Sequence, residues 1–228
     1  MQTALEEAIA LLASGDEMLV NIVLVTLRMS VASSLIALAI GLPVGAVLAM
    51  GRSKFASALV IANRTLMGVP PVVCGLLCYL MFCGVGPLRW LDLLYTVEGM
   101  VVAQVLLITP IVAGNVESYV RGIVNDVRDT ARGIGLSRGR SVLLLLGECR
   151  YQVFTVYLIA FGRAIAEVGA VSMVGGAIAY KTNVMTTAIM MYTNRGDFTL
   201  GIALGIILLL MFLALNVIVG IVQRNVSS

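Results

Sequence analysis

Five long apolar stretches alternate along the chain with shorter segments that hold nearly all of the charged residues. The apolar stretches are 18–50, 58–84, 98–117, 151–178 and 200–222. A helix needs about 20 apolar residues to cross a bilayer, so this pattern predicts five spanning helices. The first stretch would be about 50 Å long as a helix, which predicts that it tilts, bends or leaves the hydrocarbon. Gly41, Pro43 and Gly45 are the expected bend points.

The composition agrees with a membrane protein. Of the 228 residues, 60% are hydrophobic and 12% are charged, and the mean hydropathy is +1.04. Soluble domains are instead about 45–50% apolar and about 25% charged. We therefore predict an all-α integral membrane protein embedded in a lipid bilayer. The net charge of +3 and the lack of interleaved basic and aromatic residues argue against a nucleic-acid partner.

The basic residues favour one side of the predicted membrane. Ten of the 15 lie in alternate connecting segments, namely 51–64, 119–150 and 223–228. The intervening segments hold only three, in 1–17, 85–98 and 179–199. The positive-inside rule places the first set in the cytoplasm, so five crossings put the amino terminus outside and the carboxyl terminus inside. Segment 1–17 has acidic but no basic side chains, and it is expected to remain attached as an extracytoplasmic segment rather than act as a cleaved signal.

The loop at 119–150 begins with an amphipathic pattern. One face of a helix would be apolar, formed by Ile123, Val127, Ala131 and Ile134. The opposite face would be polar, formed by Asn125, Asp126, Arg128, Asp129 and Arg132. Gly133 and Gly135 predict the end of this helix, and Ser137 can cap a following one. One interpretation is a short helix that lies on the membrane surface and is anchored by arginines.

A second interpretation comes from residues 129–138. The residues are Asp129, Thr130, Ala131, Arg132, Gly133, Ile134, Gly135, Leu136, Ser137 and Arg138. This run resembles the Glu-Ala-Ala loop of ABC importer permeases, which docks on the ATPase subunit. Ala131, Gly135 and the Ser-Arg pair match that loop, whereas Asp129 stands for the usual glutamate and Thr130 for the second alanine. The loop continues to Glu148-Cys149-Arg150 instead of a Leu-Pro pair, and a Glu-x-Arg ending resembles the tungstate importer branch of the family.

Four more stretches resemble the same branch, at 66–77, 161–171, 185–189 and 203–209. The resemblance implies one permease domain over residues 1–228, in which 119–150 is the ATPase-docking loop. It also implies a second copy of the chain, two ATPase subunits and an extracytoplasmic binding protein that delivers tungstate, molybdate or sulfate. Both lysines lack the preceding glycine of a Walker A loop. We therefore expect no enzymatic activity and no bound cofactor in this chain, with ATP and magnesium in the partner ATPase.

The second apolar stretch contains Pro70 and Pro71 in its interior. Two adjacent prolines remove two backbone donors, and they disfavour helical geometry at the residue before them. We therefore predict a broken or kinked helix, and the same reasoning applies to Pro110 in the third stretch. Freed backbone groups in a membrane must face protein or a water-filled path. Residues 68–75 are thus expected to form either a packing kink or part of a substrate path.

Arg163 and Glu167 are four residues apart on the fourth stretch, so they share one helix face. Charges inside a membrane are costly unless they are paired or hydrated, which predicts a mutual ion pair. The pair either is purely structural or lines an anion path. Gly169 beside it would allow a neighbouring helix to approach closely.

Residues between the fourth and fifth stretches carry hydroxyl and amide groups that suit an oxyanion. These residues are Thr182, Asn183, Thr186 and Thr187. The alternative is a solvated loop and short surface helix that contact a binding protein. Arg28, with Asn21 on the same face, is a further candidate, although snorkelling or an interhelical pair also explains it.

Two other classes of protein fit the sequence less well. An autonomous channel or secondary transporter would use Arg163 and Glu167 as an ion relay, but inverted repeats and further intramembrane carboxylates are not visible. A membrane enzyme would need a nucleophile and base, and the chain has no histidine. The four cysteines lack zinc-ligand spacing and are interpreted as small apolar residues.

Overall fold

The computed structural model describes residues 6–7, 9–11, 14–51, 53–133 and 150–226, and the regular elements in these ranges are helical. The helices are α1 (Glu17–Met50), α2 (Lys54–Met67), α3 (Pro71–Phe82), α4 (Val97–Gly133), α5 (Arg150–Ile165), α6 (Gly169–Gly175), α7 (Met185–Asn194) and α8 (Phe198–Val226), with a 3₁₀ helix at Arg89–Leu91. The all-α prediction is confirmed for this part of the chain.

Two kinds of candidate membrane span occur among the described residues. Helices α1, α4 and α8 are each long and apolar enough to cross a bilayer. Helices α2 and α3 form a pair bent by 94°, and α5 and α6 form a pair bent by 57°. If each bent pair crosses as one unit, the count is five, which is the number that the sequence predicts.

The break between α2 and α3 lies at the proline pair, as predicted. Pro70 has extended backbone geometry, with φ −60° and ψ 131°, and α3 begins at Pro71. Proline is tolerated at a helix start because N–H groups of the first turn have no acceptor within the helix, so the missing N–H of proline costs no hydrogen bond there. The two prolines therefore end one helix and start the next.

The centre of the fold is the contact between α1 and α4. A Cβ added at Gly41 would lie 2.6 Å from Cγ1 of Val112, and one at Gly45 would lie 2.5 Å from the Ala113 carbonyl oxygen. These glycines, which were expected to be bend points, lie in one continuous helix that also contains Pro43. Their lack of side chains lets the two backbones pack closely.

Helix α4 differs from the sequence prediction at its carboxyl end. It runs unbroken from Val97 to Gly133, so the amphipathic helix expected from Ile123 is the end of α4 and not a separate element. The helix break that the sequence allowed at Pro110 is also absent. Residues 119–133 instead extend the third span, because the amphipathic pattern has the same helical period as the span before it. At 1.5 Å per residue the helix is about 55 Å long, about 25 Å more than the hydrocarbon thickness.

The last helix exposes a large apolar surface. Only 11% of its most apolar window is buried within the chain. The exposed residues include Leu209, Leu210, Leu213, Val217 and Ile221. An apolar surface of this extent is typical of a helix covered by lipid or by another protein chain.

Candidate functional site

The two broken spans touch each other at their breaks. A Cβ added at Gly169, the first residue of α6, would lie 2.8 Å from Cγ2 of Val72 and 3.4 Å from Cβ of Pro71. One turn further along α3, a Cβ at Gly75 would lie 2.7 Å from Cα of Ala170. The starts of α3 and α6 are therefore in backbone contact. Pro70 and Pro71 are brought to the same place as Gly169, although about a hundred residues separate them in the sequence.

Glu167 lies at the break between α5 and α6 and makes three contacts there. Its Oε2 is 3.3 Å from Nη2 of Arg163, so the predicted ion pair is present. Its Oε1 accepts a hydrogen bond from the Ala170 N–H at 3.2 Å, and its backbone carbonyl accepts one from Oγ1 of Thr186 at 2.7 Å. The carboxylate thus both pairs with an arginine and caps the first turn of α6.

The two partners of this ion pair differ in exposure. The Glu167 side chain is 4% exposed, whereas the Arg163 side chain is 39% exposed. The carboxylate is therefore held inside the protein, and part of the guanidinium remains accessible. Such a group has donors available for a second acceptor, because a guanidinium carries five N–H groups.

The polar residues before and within α7 are buried, so the expectation of a solvated loop is wrong for them. Thr182, Asn183, Thr186 and Thr187 are each at most 9% exposed. The Thr182 hydroxyl donates to the Gly175 carbonyl oxygen at 2.5 Å, and the Thr187 hydroxyl contacts Oδ1 of Asn183 at 3.1 Å. These groups shape the connection between α6 and α7. Their contact with an anion or a binding protein stays a prediction.

Two buried polar residues near the breaks received no role from the sequence. Gln104 of α4 accepts from the Ser33 hydroxyl at 2.6 Å and donates to the Ala164 carbonyl oxygen at 2.7 Å, so it joins three helices. Thr26 of α1 accepts from the Met185 N–H at 2.9 Å and thereby caps α7. An uncharged polar residue inside an apolar stretch indicates a buried hydrogen bond between helices. The sequence does not identify the partner in that bond.

Other predicted groups lie away from the breaks or outside the described residues. Arg28 is exposed on α1. The backbone of Asp129, Thr130, Ala131, Arg132 and Gly133 forms the end of α4. Gly135, Ser137 and Arg138 lie outside the described residues. Cys74 and Cys78 are buried and free, as expected of small apolar residues, and no cluster of potential metal ligands occurs in the described part of the chain.

Comparison with known proteins identifies the kind of molecule to which this arrangement belongs. The profile of the family described as "Binding-protein-dependent transport system inner membrane component" matches residues 41–228. A probable anion ABC transporter permease protein of Haloferax volcanii is 38% identical over 205 residues, which cover 87% of this chain and 88% of that protein.

Two further relatives are tungstate uptake system permease proteins named TupB. The protein of Peptoclostridium acidaminophilum is 32% identical and covers 96% of both chains. That of Campylobacter jejuni is 33% identical and covers 96% of this chain and 92% of its own.

The fold is also found among solved structures. Inward-facing structures of the MetNI methionine ABC transporter superpose with TM-scores of 0.66 and 0.67 over 90% of this chain and 96% of theirs, at 21% identity. At this identity the likeness concerns the fold alone. The family profile and the relatives match most of the chain, and the chain belongs to the family of binding-protein-dependent transport system inner membrane components, the permease subunits of ABC importers.

Proposed function

We propose that this chain is the transmembrane subunit of an ATP-driven importer for tungstate or a closely related tetrahedral oxyanion. Two relatives of 32% and 33% identity over nearly the whole chain are named tungstate uptake permeases, and a third is named an anion permease. Molybdate and sulfate are the alternative substrates, because they share the shape and charge of tungstate.

The observation that carries the mechanism is the contact between the two helix breaks. Discontinuous helices in transporters typically form the substrate and ion sites. Gly169 and Gly75 make this contact without interlocking side chains, so α3 and α6 can separate and close again during alternating access. The accessible part of Arg163 would face the passing anion, while Glu167 holds the guanidinium in place.

The assembly that this function requires contains more than this chain. We propose a second copy of the chain, two ATPase subunits that bind ATP and magnesium, and an extracytoplasmic binding protein that selects the oxyanion. In this arrangement the amino terminus is outside, the carboxyl terminus is in the cytoplasm and the assembly lies in the cell membrane. The docking surface would be residues 129–138, for which the length of α4 beyond a bilayer gives support.

The experiment is reconstitution of the chain with its co-purified ATPase and binding protein in liposomes. Tungstate, molybdate and sulfate are supplied outside, and the anion inside is measured with and without ATP. We expect ATP-dependent accumulation of tungstate. Liposomes that contain this chain alone should not pass the anion, and a passive flux through them would support the channel alternative instead.

The docking assignment has its own test in the same liposomes. Replacement of Gly135 or Ala131 by leucine or tryptophan should lower ATP hydrolysis by the partner while the chain still assembles. The matched control is Gly122→Leu, because a Cβ at Gly122 meets no atom within 4 Å. Unchanged hydrolysis and transport in the Gly135 and Ala131 variants would refute docking at this loop.

A further inference from the structure

A second buried carboxylate lies on α4, away from the helix breaks. Glu117 has a side chain that is only 2% exposed, and it contacts two arginines. Its Oε1 is 2.5 Å from Nη2 of Arg121, one turn further along α4, and its Oε2 is 3.4 Å from Nη2 of Arg64 on α2. One buried anion is thus shared by two cations that belong to different helices.

Helix α2 contacts α4 through polar groups and through a methionine side chain that packs over a glycine. Val60 is its single buried residue, so apolar packing of α2 is sparse. Nδ2 of Asn63 donates to the Pro110 carbonyl oxygen at 3.1 Å. A Cβ at Gly114 would lie 2.4 Å from Sδ of Met67, so the lack of a side chain there lets α2 lie against α4. The Arg64–Glu117 pair is therefore one of the polar contacts that join α2 to α4.

The two helices joined by this pair lead to the two functional regions of the proposed importer. Helix α4 continues from Glu117 to Gly133 and carries residues 129–133, the first of the proposed docking residues, at its end. Helix α2 continues from Arg64 to the proline break, beyond which α3 contacts Gly169. A displacement of the cytoplasmic end of α4 can reach the break through Glu117 and Arg64.

We propose that Glu117 is a positioning residue that couples the movement of α4 to the α2–α3 break, through an ion pair with Arg64 that opens and closes during transport. This inference rests on the proposed function as an ATP-driven importer. Glu117 does not touch the substrate in this proposal. It acts through Arg64, which is the group that moves with the broken span.

The unequal contacts of Glu117 suit a contact that must open and close. The 2.5 Å pair with Arg121 lies within one helix, so it moves with α4 and keeps the buried carboxylate paired in both states. The 3.4 Å pair with Arg64 is the longer one, and the Arg64 side chain is 64% exposed, so its guanidinium is readily rehydrated on release. A buried carboxylate with a single partner would be left unpaired at each opening, which is costly.

The test uses the full complex of this chain, its ATPase and its binding protein in liposomes with tungstate. The measured quantity is tungstate imported per ATP hydrolysed. Glu117→Gln keeps the shape of the side chain and removes its charge, and Arg64→Gln removes the partner. We expect either change to lower this ratio by about fivefold or more, while assembly stays normal. Arg64→Lys keeps the charge and should retain most of the coupling. A purely structural role of Arg64 does not require that the charge alone preserve the coupling.

The matched control is Glu98→Gln, at an exposed position in the first turn of the same helix. If Arg64→Gln assembles and its import per ATP equals that of Glu98→Gln, the coupling proposal is overturned. Because Arg64 is exposed, this result is obtained even if Glu117→Gln fails to fold. If the wild-type complex itself hydrolyses ATP without importing tungstate, the proposed substrate fails instead, and the two failures are thereby distinguished.

Discussion

Substitution of Gly75 by alanine tests whether the contact between α3 and α6 changes during transport. The added Cβ would lie 2.7 Å from Cα of Ala170 and 3.3 Å from the carbonyl oxygens of Ala170 and Gly169. All three atoms belong to the backbone, so no rotamer change relieves the overlap. Helices α3 and α6 must separate by about 0.9 Å to reach a carbon–carbon distance of about 3.6 Å.

The cost of this separation sets the expected effect. Extra atoms in a well-packed contact cost about 1–3 kcal/mol. If α3 and α6 are in contact in only one state of the transport cycle, that state loses about 5- to 150-fold in relative population. Import must pass through both states, so we expect the rate of tungstate uptake by liposomes to fall by about fivefold or more.

The control for Gly75→Ala is Gly205→Ala, which adds the same atom to α8 where nothing lies within 4 Å. The control should retain uptake, and both variants should purify as the intact complex with the ATPase. If Gly75→Ala imports tungstate as fast as Gly205→Ala, the α3–α6 contact is not part of the moving machinery, and the reasoning from the two breaks is refuted.

Two further substitutions test the stability of the site. Glu167→Gln keeps the acceptor for the Ala170 N–H but leaves Arg163 unpaired. Because Arg163 is 39% exposed, the free energy of unfolding should fall by at most about 1 kcal/mol. The melting temperature of the purified protein should then fall by at most about 2–4 °C. Thr26→Val removes the acceptor of the Met185 N–H and should lower the free energy of unfolding by about 1–3 kcal/mol. The control Thr65→Val, at an exposed hydroxyl, should change the melting temperature far less. Equal shifts in the two variants would contradict the capping role of Thr26.

The sequence predicted the helix break at Pro70 and the Arg163–Glu167 pair because both depend on local chemistry. A proline pair in the interior of an apolar stretch removes two backbone donors and interrupts the helix, and two charges four residues apart share one helix face. The contact of this break with Gly169 could not be predicted in the same way. This contact joins residues that are far apart in the sequence, and it is made at glycines. Because a glycine has no side chain, the sequence does not indicate which residue packs against it.

Two expectations that the structure corrects, the separate surface helix and the solvated loop, each failed for a physical reason. The amphipathic pattern near Ala131 is helical whether the helix is separate or continues from α4, because periodicity specifies the local structure but not the start of an element. Thr182 and Thr186 lie in a polar segment between two apolar stretches, so a solvated loop was one of the two interpretations of them. In the structure their hydroxyls donate to carbonyl oxygens freed at the ends of broken helices, so the breaks themselves account for the buried polar residues.

The distribution of arginines carries two kinds of information that the sequence does not separate. Arg64 and Arg121 both contribute to the charge bias from which the orientation of the chain is predicted. In the structure they also converge on Glu117, at 3.4 Å and 2.5 Å, although a lysine or arginine anywhere in the same loops would orient the chain equally well. The predicted orientation depends on the number of charges, whereas the proposed coupling depends on the position of one buried carboxylate. Moving Arg64 by one turn along α2 should therefore preserve the topology and lower the coupling.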